Sequence, residues 1–229
     1  MTVDPGSSDL VGRDDELSAI YSMLGRDGGS GLLLVGDAGI GKSALLHAAR
    51  DAAVTDGRVV LRATGVESEA HVPFAGLHQL LYPLGDRFSS LAPQQREALF
   101  AAFGRADGPA LEVFLIAIAT LELLADTAAD TGLLAIVDDL HWIDDATARV
   151  LGFVARRIDS EPIALLAATR PGVPEPLTGT GVAVRTLRPL PDADAERLVR
   201  ARHPELDDRG RAWLLAHAEG NRSRWWSCR

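Results

Sequence analysis

This 229-residue chain contains one cysteine, one lysine and no long apolar run. Cys228 cannot form a disulfide within the chain, and so little cysteine is typical of a protein from a reducing compartment. The longest apolar stretch, Val113 to Ala119, is too short to cross a bilayer and is flanked by Glu112 and Glu122. The first nine residues lack the basic and apolar segments of a signal peptide. We therefore expect a cytoplasmic protein that makes no contact with a membrane.

Positive charge is also scarce. Lysine and arginine number 23 against 32 acidic residues, which gives a formal net charge of −9. Proteins that bind nucleic acids usually carry a basic face for the phosphate backbone, so this balance argues against direct DNA binding by the chain. The length and the 47% content of hydrophobic residues allow one substantial core, together with a second small lobe.

The only lysine, Lys42, lies in the stretch that organises the chain. Residues 36–43 read G-D-A-G-I-G-K-S, which matches the Walker A pattern G-x-x-x-x-G-K-[ST]. An apolar run at 32–35 precedes this phosphate loop, and a helix-like segment at 44–53 follows it. Glycines let backbone N–H groups surround phosphate oxygens, the helix N-terminus adds its positive dipole end, and serine can ligate Mg²⁺. The residues predicted to bind ATP or ADP are Gly36, Asp37, Ala38, Gly39, Ile40, Gly41, Lys42 and Ser43.

Two neighbouring acids follow a second apolar run. Residues 133–137 are all apolar, as in a central parallel strand, and Asp138 and Asp139 come next, which is a Walker B pattern. We predict that Asp138 holds Mg²⁺ with Ser43, and that Asp139 orients or deprotonates the attacking water. The alternative is that the two acids only end the strand. For the nearby His141 we predict packing and a hydrogen bond below the metal site in preference to direct catalysis.

Three further apolar runs predict strands. They cover residues 58–63, 163–170 and 182–187. With the runs before the phosphate loop and before Asp138, they predict an α/β fold of the P-loop NTPase type, in which helices flank a parallel five-stranded sheet. Thr169 and Arg170 end one of these strands and would face the γ-phosphate if that strand lies beside the phosphate loop. The alternative for Arg170 is an ordinary surface arginine.

Helical spacing and leading prolines predict helices between the strands. The predicted helices cover residues 17–24, 74–84, 93–103 and 109–125, and a further one runs from Asp144 or Asp145 to about Ile158. Two more helices, at 192–202 and 207–218, are expected to begin a small helical lid. The expected domain plan is a mobile leader at 1–9, an ATPase core at 10–187, the beginning of the lid at 188–221 and an atypical tail at 222–229.

Several of these segments resemble one known group of proteins. Beside the phosphate loop they are L-V-G-R-D-D-E-L at 10–17, V-P-F-A-G-L-H-Q-L-L at 72–81, I-V-D-D-L-H-W-I-D at 136–144, A-A-T-R-P at 167–171 and A-E-G-N at 218–221. Together they resemble the ATPase domain of AAA-type and STAND-type P-loop regulators, most closely the large ATP-binding regulators of the LuxR type and the origin-recognition-like AAA domains.

The resemblance implies roles for residues that the patterns alone leave open. Val11, Gly12 and Arg13 would border the adenine, and Arg170 would sense the γ-phosphate. Proteins of this group switch shape on nucleotide exchange or hydrolysis, and so control an attached output. In the LuxR-type regulators that output is a C-terminal DNA-binding domain, and we expect this chain to be a module without it.

The C-terminal tail departs from the pattern of the group. Relatives continue G-N-P-L-A-L, whereas Asn221 is followed here by R-S-R-W-W-S-C-R. Loss of one C from a reading frame that encodes N-P-L-A-L-V-E-L-P would give N-R-S-R-W-W-S-C-R. We therefore hypothesise a frameshift, which resequencing tests. The alternative is a natural short variant whose basic, aromatic tail binds a partner.

The leading functional hypothesis is a regulatory ATPase module that binds Mg-ATP, hydrolyses it slowly and works through a protein partner or by self-association. The alternative is a nucleotide-gated interaction module that binds ATP or ADP without turnover. A small-molecule kinase is a third class, and the D-D-L-H-W block argues against it.

Overall fold

The computed structural model describes residues 10–26, 28–104, 113–173 and 176–218, with side chains as far as Leu215. The expected leader, the start of the predicted helix at 109–125 and the atypical tail lie outside these residues.

The centre of the fold is a sheet of five strands, and every pairing in it is parallel. The strands are β1 (Ser30–Val35), β2 (Val59–Thr64), β3 (Leu133–Asp138), β4 (Ile163–Thr169) and β5 (Ala183–Thr186). Their order across the sheet is β2-β3-β4-β1-β5. Since β4 lies between β1 and β3, the loops after β1 and β3 flank the carboxyl end of β4. The predicted parallel five-stranded sheet is confirmed.

The burial of the strands follows their sequences. Every residue of β3 and β4 is buried, as expected for central parallel strands with unbroken apolar runs. The four residues of β5 are exposed, because this short strand lies at the edge of the sheet. The polar segment after β3 therefore begins at a fully buried strand in the interior of the sheet.

Helices cover both faces of the sheet. They are α1 (Asp14–Leu24), α2 (Lys42–Thr55), α3 (Ala75–Leu81), α4 (Pro93–Ala102), α5 (Val113–Ala128), α6 (Asp145–Ala155), α7 (Asp192–Arg202) and α8 (Asp208–Ala218). One core cluster joins α1 and α2 to one face, and a second joins α3 to α6 to the other. Of the helices described, none is long and apolar enough to cross a membrane.

Three predicted helix ends differ from the structure by three residues each. The helix predicted to end at 125 continues as α5 to Ala128. The helix predicted over 74–84 ends as α3 at Leu81, and 82–90 continue as 3₁₀ turns, since Pro83 lacks the N–H that another α-turn requires. The helix predicted to reach Ile158 ends as α6 at Ala155, and a single 3₁₀ turn, Ile158–Ser160, follows it after a short break.

A buried carboxylate joins α6 to α3. Asp144 Oδ1 accepts hydrogen bonds from the backbone N–H groups of Thr147 and Phe74, both at 2.8 Å. Asp144 Oδ2 accepts from Thr147 Oγ1 at 2.7 Å and from the Gly76 N–H at 3.1 Å. The Leu77 N–H in turn donates to Thr147 Oγ1 at 2.9 Å. Asp144 is thus the N-cap of α6 and also satisfies N–H groups at the start of α3.

The last two helices form a small cluster of their own. The buried members of this C-terminal helix pair are Leu190, Ala195, Leu198, Val199 and Leu214, and Val11 packs against them. Gly12 also lies against α7: its φ is +70°, and a Cβ added there would come within 2.5 Å of Asp194 Oδ2. A residue with a side chain would both clash and be strained at this position.

The double role of Asp144 predicts the effect of its removal. Asp144→Ala leaves several buried N–H groups without an acceptor and should lower the free energy of unfolding by about 3 kcal/mol. Urea unfolding followed by circular dichroism measures this. Asp145→Ala is the matched control, because Asp145 is exposed in the same helical turn; it should cost less than about 1 kcal/mol. Equal destabilisation by the two substitutions would contradict the proposed cap.

Candidate nucleotide-binding site

The loop between β1 and α2 has the backbone that the glycine pattern predicts. Gly39 and Gly41 have φ of +74° and +110°, in the region that favours glycine. Gly41 is the N-cap residue of α2 and makes no side-chain capping bond. The N–H groups of the first helical turn have no intrahelical acceptor, so they can bind an anion at this helix end.

The Lys42 side chain is hydrogen-bonded to the loop that precedes it. Its Nζ donates to the carbonyl oxygens of Gly36 at 2.7 Å and of Asp37 at 2.9 Å, and the residue is only 6% exposed. Burial lowers the pKa of Lys42, while the charges of Asp139 and Asp138 oppose that shift. The ammonium group is therefore bonded to the loop carbonyls and is also stabilised by the charges of the two acids at the end of β3.

Asp138 and Ser43 come together from separate elements. Ser43 Oγ donates to Asp138 Oδ2 at 3.3 Å, and Asp138 Oδ1 accepts from the Asp139 N–H at 2.9 Å. A hydroxyl and a carboxylate are hard oxygen ligands of the kind that Mg²⁺ takes. Among the described residues there is no group of three or more His, Cys, Asp or Glu side chains that could hold a metal alone. A magnesium ion here would take its other ligands from phosphate and water.

Asp139 has an unusual backbone conformation. Its φ of 47° and ψ of 49° lie in the left-handed region, which is uncommon for residues other than glycine. The Asp139 N–H donates to Asp138 Oδ1 at 2.9 Å, and the Asp139 side chain remains partly exposed. The two adjacent carboxylates thus differ: that of Asp138 is buried, and that of Asp139 is open to solvent.

The hydrogen bond predicted for His141 is wrong, whereas its packing is confirmed. Its side chain is 4% exposed and its ring lies 5.1 Å from that of Trp142, centroid to centroid. Among the described residues neither ring nitrogen has a hydrogen-bond partner, because the nearest carboxylate oxygen, Asp139 Oδ1, is 3.9 Å from Nδ1. Burial lowers the pKa of His141, and the Asp139 charge opposes this.

Arg170 lies at the same edge of the sheet. The Thr169 carbonyl accepts from the Gly36 N–H at 3.2 Å, so the end of β4 is joined to the start of the loop. Arg170 is exposed, and its positive charge contributes to lowering the pKa of Lys42 and of His141. The structure thus brings Arg170 into the electrostatic environment of Lys42, and its contact with a γ-phosphate stays a prediction.

The segment 11–13 contacts both the loop and the C-terminal helix pair. Arg13 is buried, and its Nη2 donates to the Ile40 carbonyl at 2.9 Å while Nη1 donates to Glu16 Oε1 at 3.1 Å. Val11 and Gly12 lie against the helix pair instead. That these three residues border an adenine stays a prediction.

Arg62 is a residue of the site that no sequence pattern predicted. Its Nη2 lies 3.5 Å from Asp138 Oδ2, although 76 residues separate the two in sequence. Thr64 pairs with Asp138 in the β2–β3 register, and Arg62 precedes Thr64 by two, so Arg62 and Asp138 share a face of the sheet. Arg62 is the only charged residue of β2, which could have drawn attention to it. Its contact with Asp138 could be inferred only from the position of β2 next to β3.

The chain is similar to known proteins in sequence and in fold. The family model described as AAA ATPase domain matches residues 9–166. An uncharacterised protein of Rhizobium meliloti (strain 1021) is 29% identical over an alignment 239 residues long, gaps included, which covers 86% of this chain and 22% of that protein.

Solved structures with the same fold include a Signal Transduction ATPase with Numerous Domains (STAND) protein from Pyrococcus horikoshii, which has a tetratricopeptide repeat sensor. It is 20% identical, has a TM-score of 0.53, and the match covers 92% of this chain and 28% of that one. AMPPCP-bound DnaA from Aquifex aeolicus is 13% identical with a TM-score of 0.55, over 94% of this chain and 59% of that one.

This chain spans less than a third of the Rhizobium and Pyrococcus proteins. The family match includes the loop at 36–43, the acids after β3 and most of β4, and thus the centre of the site described above. The chain therefore belongs to the family of AAA ATPase domains.

Proposed function

We propose that this chain binds Mg-ATP and ADP at residues 36–43, hydrolyses ATP slowly and acts as a nucleotide-dependent regulatory module. The observation that carries the proposal is the position of Lys42. The only lysine of the chain is buried at a helix N-terminus, next to a glycine-rich loop. The charges of Asp138 and Asp139 act on its ammonium group. This arrangement concentrates positive charge and N–H donors where a polyphosphate would lie.

Phosphate binding would use groups that the loop already presents. The bonds from Lys42 Nζ to the carbonyls of Gly36 and Asp37 can be exchanged for bonds to phosphate oxygens, in which the acceptor is charged as well as the donor. The N–H groups at the start of α2 add the positive end of the helix dipole. Binding would thus replace internal contacts of the loop without unfolding it.

Ser43 and Asp138 are the residues that would hold Mg²⁺. Bound there, the ion would offset the negative charge of the β- and γ-phosphates. The hydrogen bond that joins Ser43 to Asp138 keeps their oxygens adjacent, which supports this assignment.

Asp139 is our candidate for orienting the attacking water or accepting its proton. Its carboxylate is next to that of Asp138 and is open to solvent, so a water molecule can reach it. Arg170 would contact the γ-phosphate from the end of β4, where its charge already acts on Lys42.

Coupling to the rest of the protein would pass through the segment 11–13. Arg13 contacts the phosphate loop at Ile40, and Val11 contacts the C-terminal helix pair, which we propose is the beginning of a lid. A shift of the loop on nucleotide exchange would therefore reach the helix pair through a few residues.

The biological role that fits is signal transduction in a larger regulator. AAA family membership supports nucleotide binding, and the similar DnaA structure holds AMPPCP. We propose an ATPase module of the LuxR-type regulators, which acts through a protein partner or another copy of itself. The single cysteine supports a cytoplasmic location, and the net charge of −9 supports an output other than direct DNA binding by this chain.

Removal of the Lys42 ammonium group tests the binding site. With millimolar ADP and Mg²⁺ we expect the melting temperature of the wild type to rise, because a ligand of the native state stabilises it by about 2.7 kcal/mol at a hundredfold excess over Kd. Lys42→Ala should lose most of this shift. Arg50→Ala, which removes an exposed charge of the same helix, should keep it. No shift in the wild type would refute the proposal.

Substitution of Asp139 tests hydrolysis apart from binding. Asp139→Asn should reduce phosphate release by about a hundredfold or more, as expected when an acid–base group is lost. It should preserve the ADP-induced thermal shift, and asparagine tolerates the left-handed backbone. Asp145→Asn is the exposed control. Absence of Mg²⁺-dependent release by the wild type would instead support the nucleotide-gated module without turnover.

A further inference from the structure

The metal-binding carboxylate proposed above already has a cationic neighbour. Asp138 Oδ2 accepts from Ser43 Oγ at 3.3 Å, and Arg62 Nη2 lies 3.5 Å from the same oxygen. Arg62 reaches this position from β2, the edge strand on the side of the sheet away from the phosphate loop. The guanidinium therefore interacts with the same carboxylate that a magnesium ion would bind.

A buried carboxylate is stabilised by hydrogen bonds or by a nearby positive charge. Lys42 Nζ makes its hydrogen bonds with the loop carbonyls, so among the described residues the ion pair of Asp138 is with Arg62. The Asp138 side chain is 8% exposed and that of Arg62 is 41% exposed. One partner is thus fixed in the sheet, and the other can move into solvent.

We propose that Arg62 is an internal counter-ion of Asp138 that Mg²⁺ must displace, and that it sets the Mg²⁺ concentration at which nucleotide binds. This inference rests on the proposed function and adds a regulatory element to the same site. At low Mg²⁺ the Arg62–Asp138 pair persists and opposes metal binding. At high Mg²⁺ the divalent ion replaces the guanidinium, and Arg62 turns to solvent or to the phosphates.

The size of the effect follows from the geometry. The distance between Arg62 and Asp138 is long for an ion pair, and the Arg62 side chain is exposed. The interaction energy of the pair should therefore be that of a surface ion pair rather than of a buried one. Loss of such a competitor should lower the half-saturating Mg²⁺ concentration by about two- to fivefold. The effect should shrink at high salt, because the exposed guanidinium is screened.

The experiment is a Mg²⁺ titration at a fixed saturating concentration of ADP, followed by melting temperature and plotted against free Mg²⁺. ADP is used so that hydrolysis plays no part. Arg62→Gln removes the charge from an exposed side chain and should leave the fold intact. It should need about two- to fivefold less Mg²⁺ than the wild type for half of the stabilisation.

Two further variants define the comparison. Arg62→Lys keeps a positive charge and should stay closer to the wild type than Arg62→Gln does. Arg50→Gln removes a charge from the exposed face of α2, where Arg50 pairs with Asp51, and should leave the Mg²⁺ dependence unchanged. The same titrations at high salt should bring Arg62→Gln nearer to the wild type.

The outcomes separate this inference from the function on which it rests. If the wild type is stabilised by Mg-ADP but Arg62→Gln needs the same Mg²⁺ concentration or more, the counter-ion role is overturned while nucleotide binding stands. If Mg-ADP does not stabilise the wild type at all, both are overturned. A lower requirement in Arg62→Gln that Arg50→Gln does not share supports the inference.

Discussion

The Lys42 ammonium group is held against the backbone carbonyls of the loop that it follows, and the arrangement of the site depends on this contact. The loop can accept the lysine because Gly39 and Gly41 adopt positive φ angles. Burial makes the charge costly, and the nearby carboxylates of Asp138 and Asp139 offset part of that cost. A polyphosphate would offer this ammonium group better acceptors than the two carbonyls do.

Three contacts connect the loop to separate parts of the fold. The Gly36 N–H joins it to the end of β4, the Ile40 carbonyl joins it to Arg13, and Ser43 joins the first turn of α2 to Asp138. A change in the conformation of the loop would therefore alter its contacts with the sheet and with the segment before α1. Since Val11 and Gly12 pack against the C-terminal helix pair, the same segment would carry that change outward.

How much could be predicted from sequence depended on whether the signal was local. The five strands and the phosphate loop were predicted because apolar runs and the glycine pattern lie within short stretches. The contact of Arg62 with Asp138 could not be, since it requires the strand order and the β2–β3 register. The hydrogen bond from the Phe74 N–H to Asp144 joins residues 70 apart in sequence, so no local pattern predicts it either. The hydrogen bond expected for His141 is not formed, because the nearest carboxylate oxygen is 3.9 Å from its ring. A distance between two side chains cannot be read from a sequence pattern.

If Lys42 belongs to a nucleotide site, one nucleotide should bind to each chain there. Isothermal titration calorimetry with ADP in the presence of Mg²⁺ measures this binding. We expect a saturable heat with one site per chain, and a weaker affinity when EDTA removes the metal. Absence of binding heat at millimolar ADP, for a chain shown to be folded, would contradict this expectation.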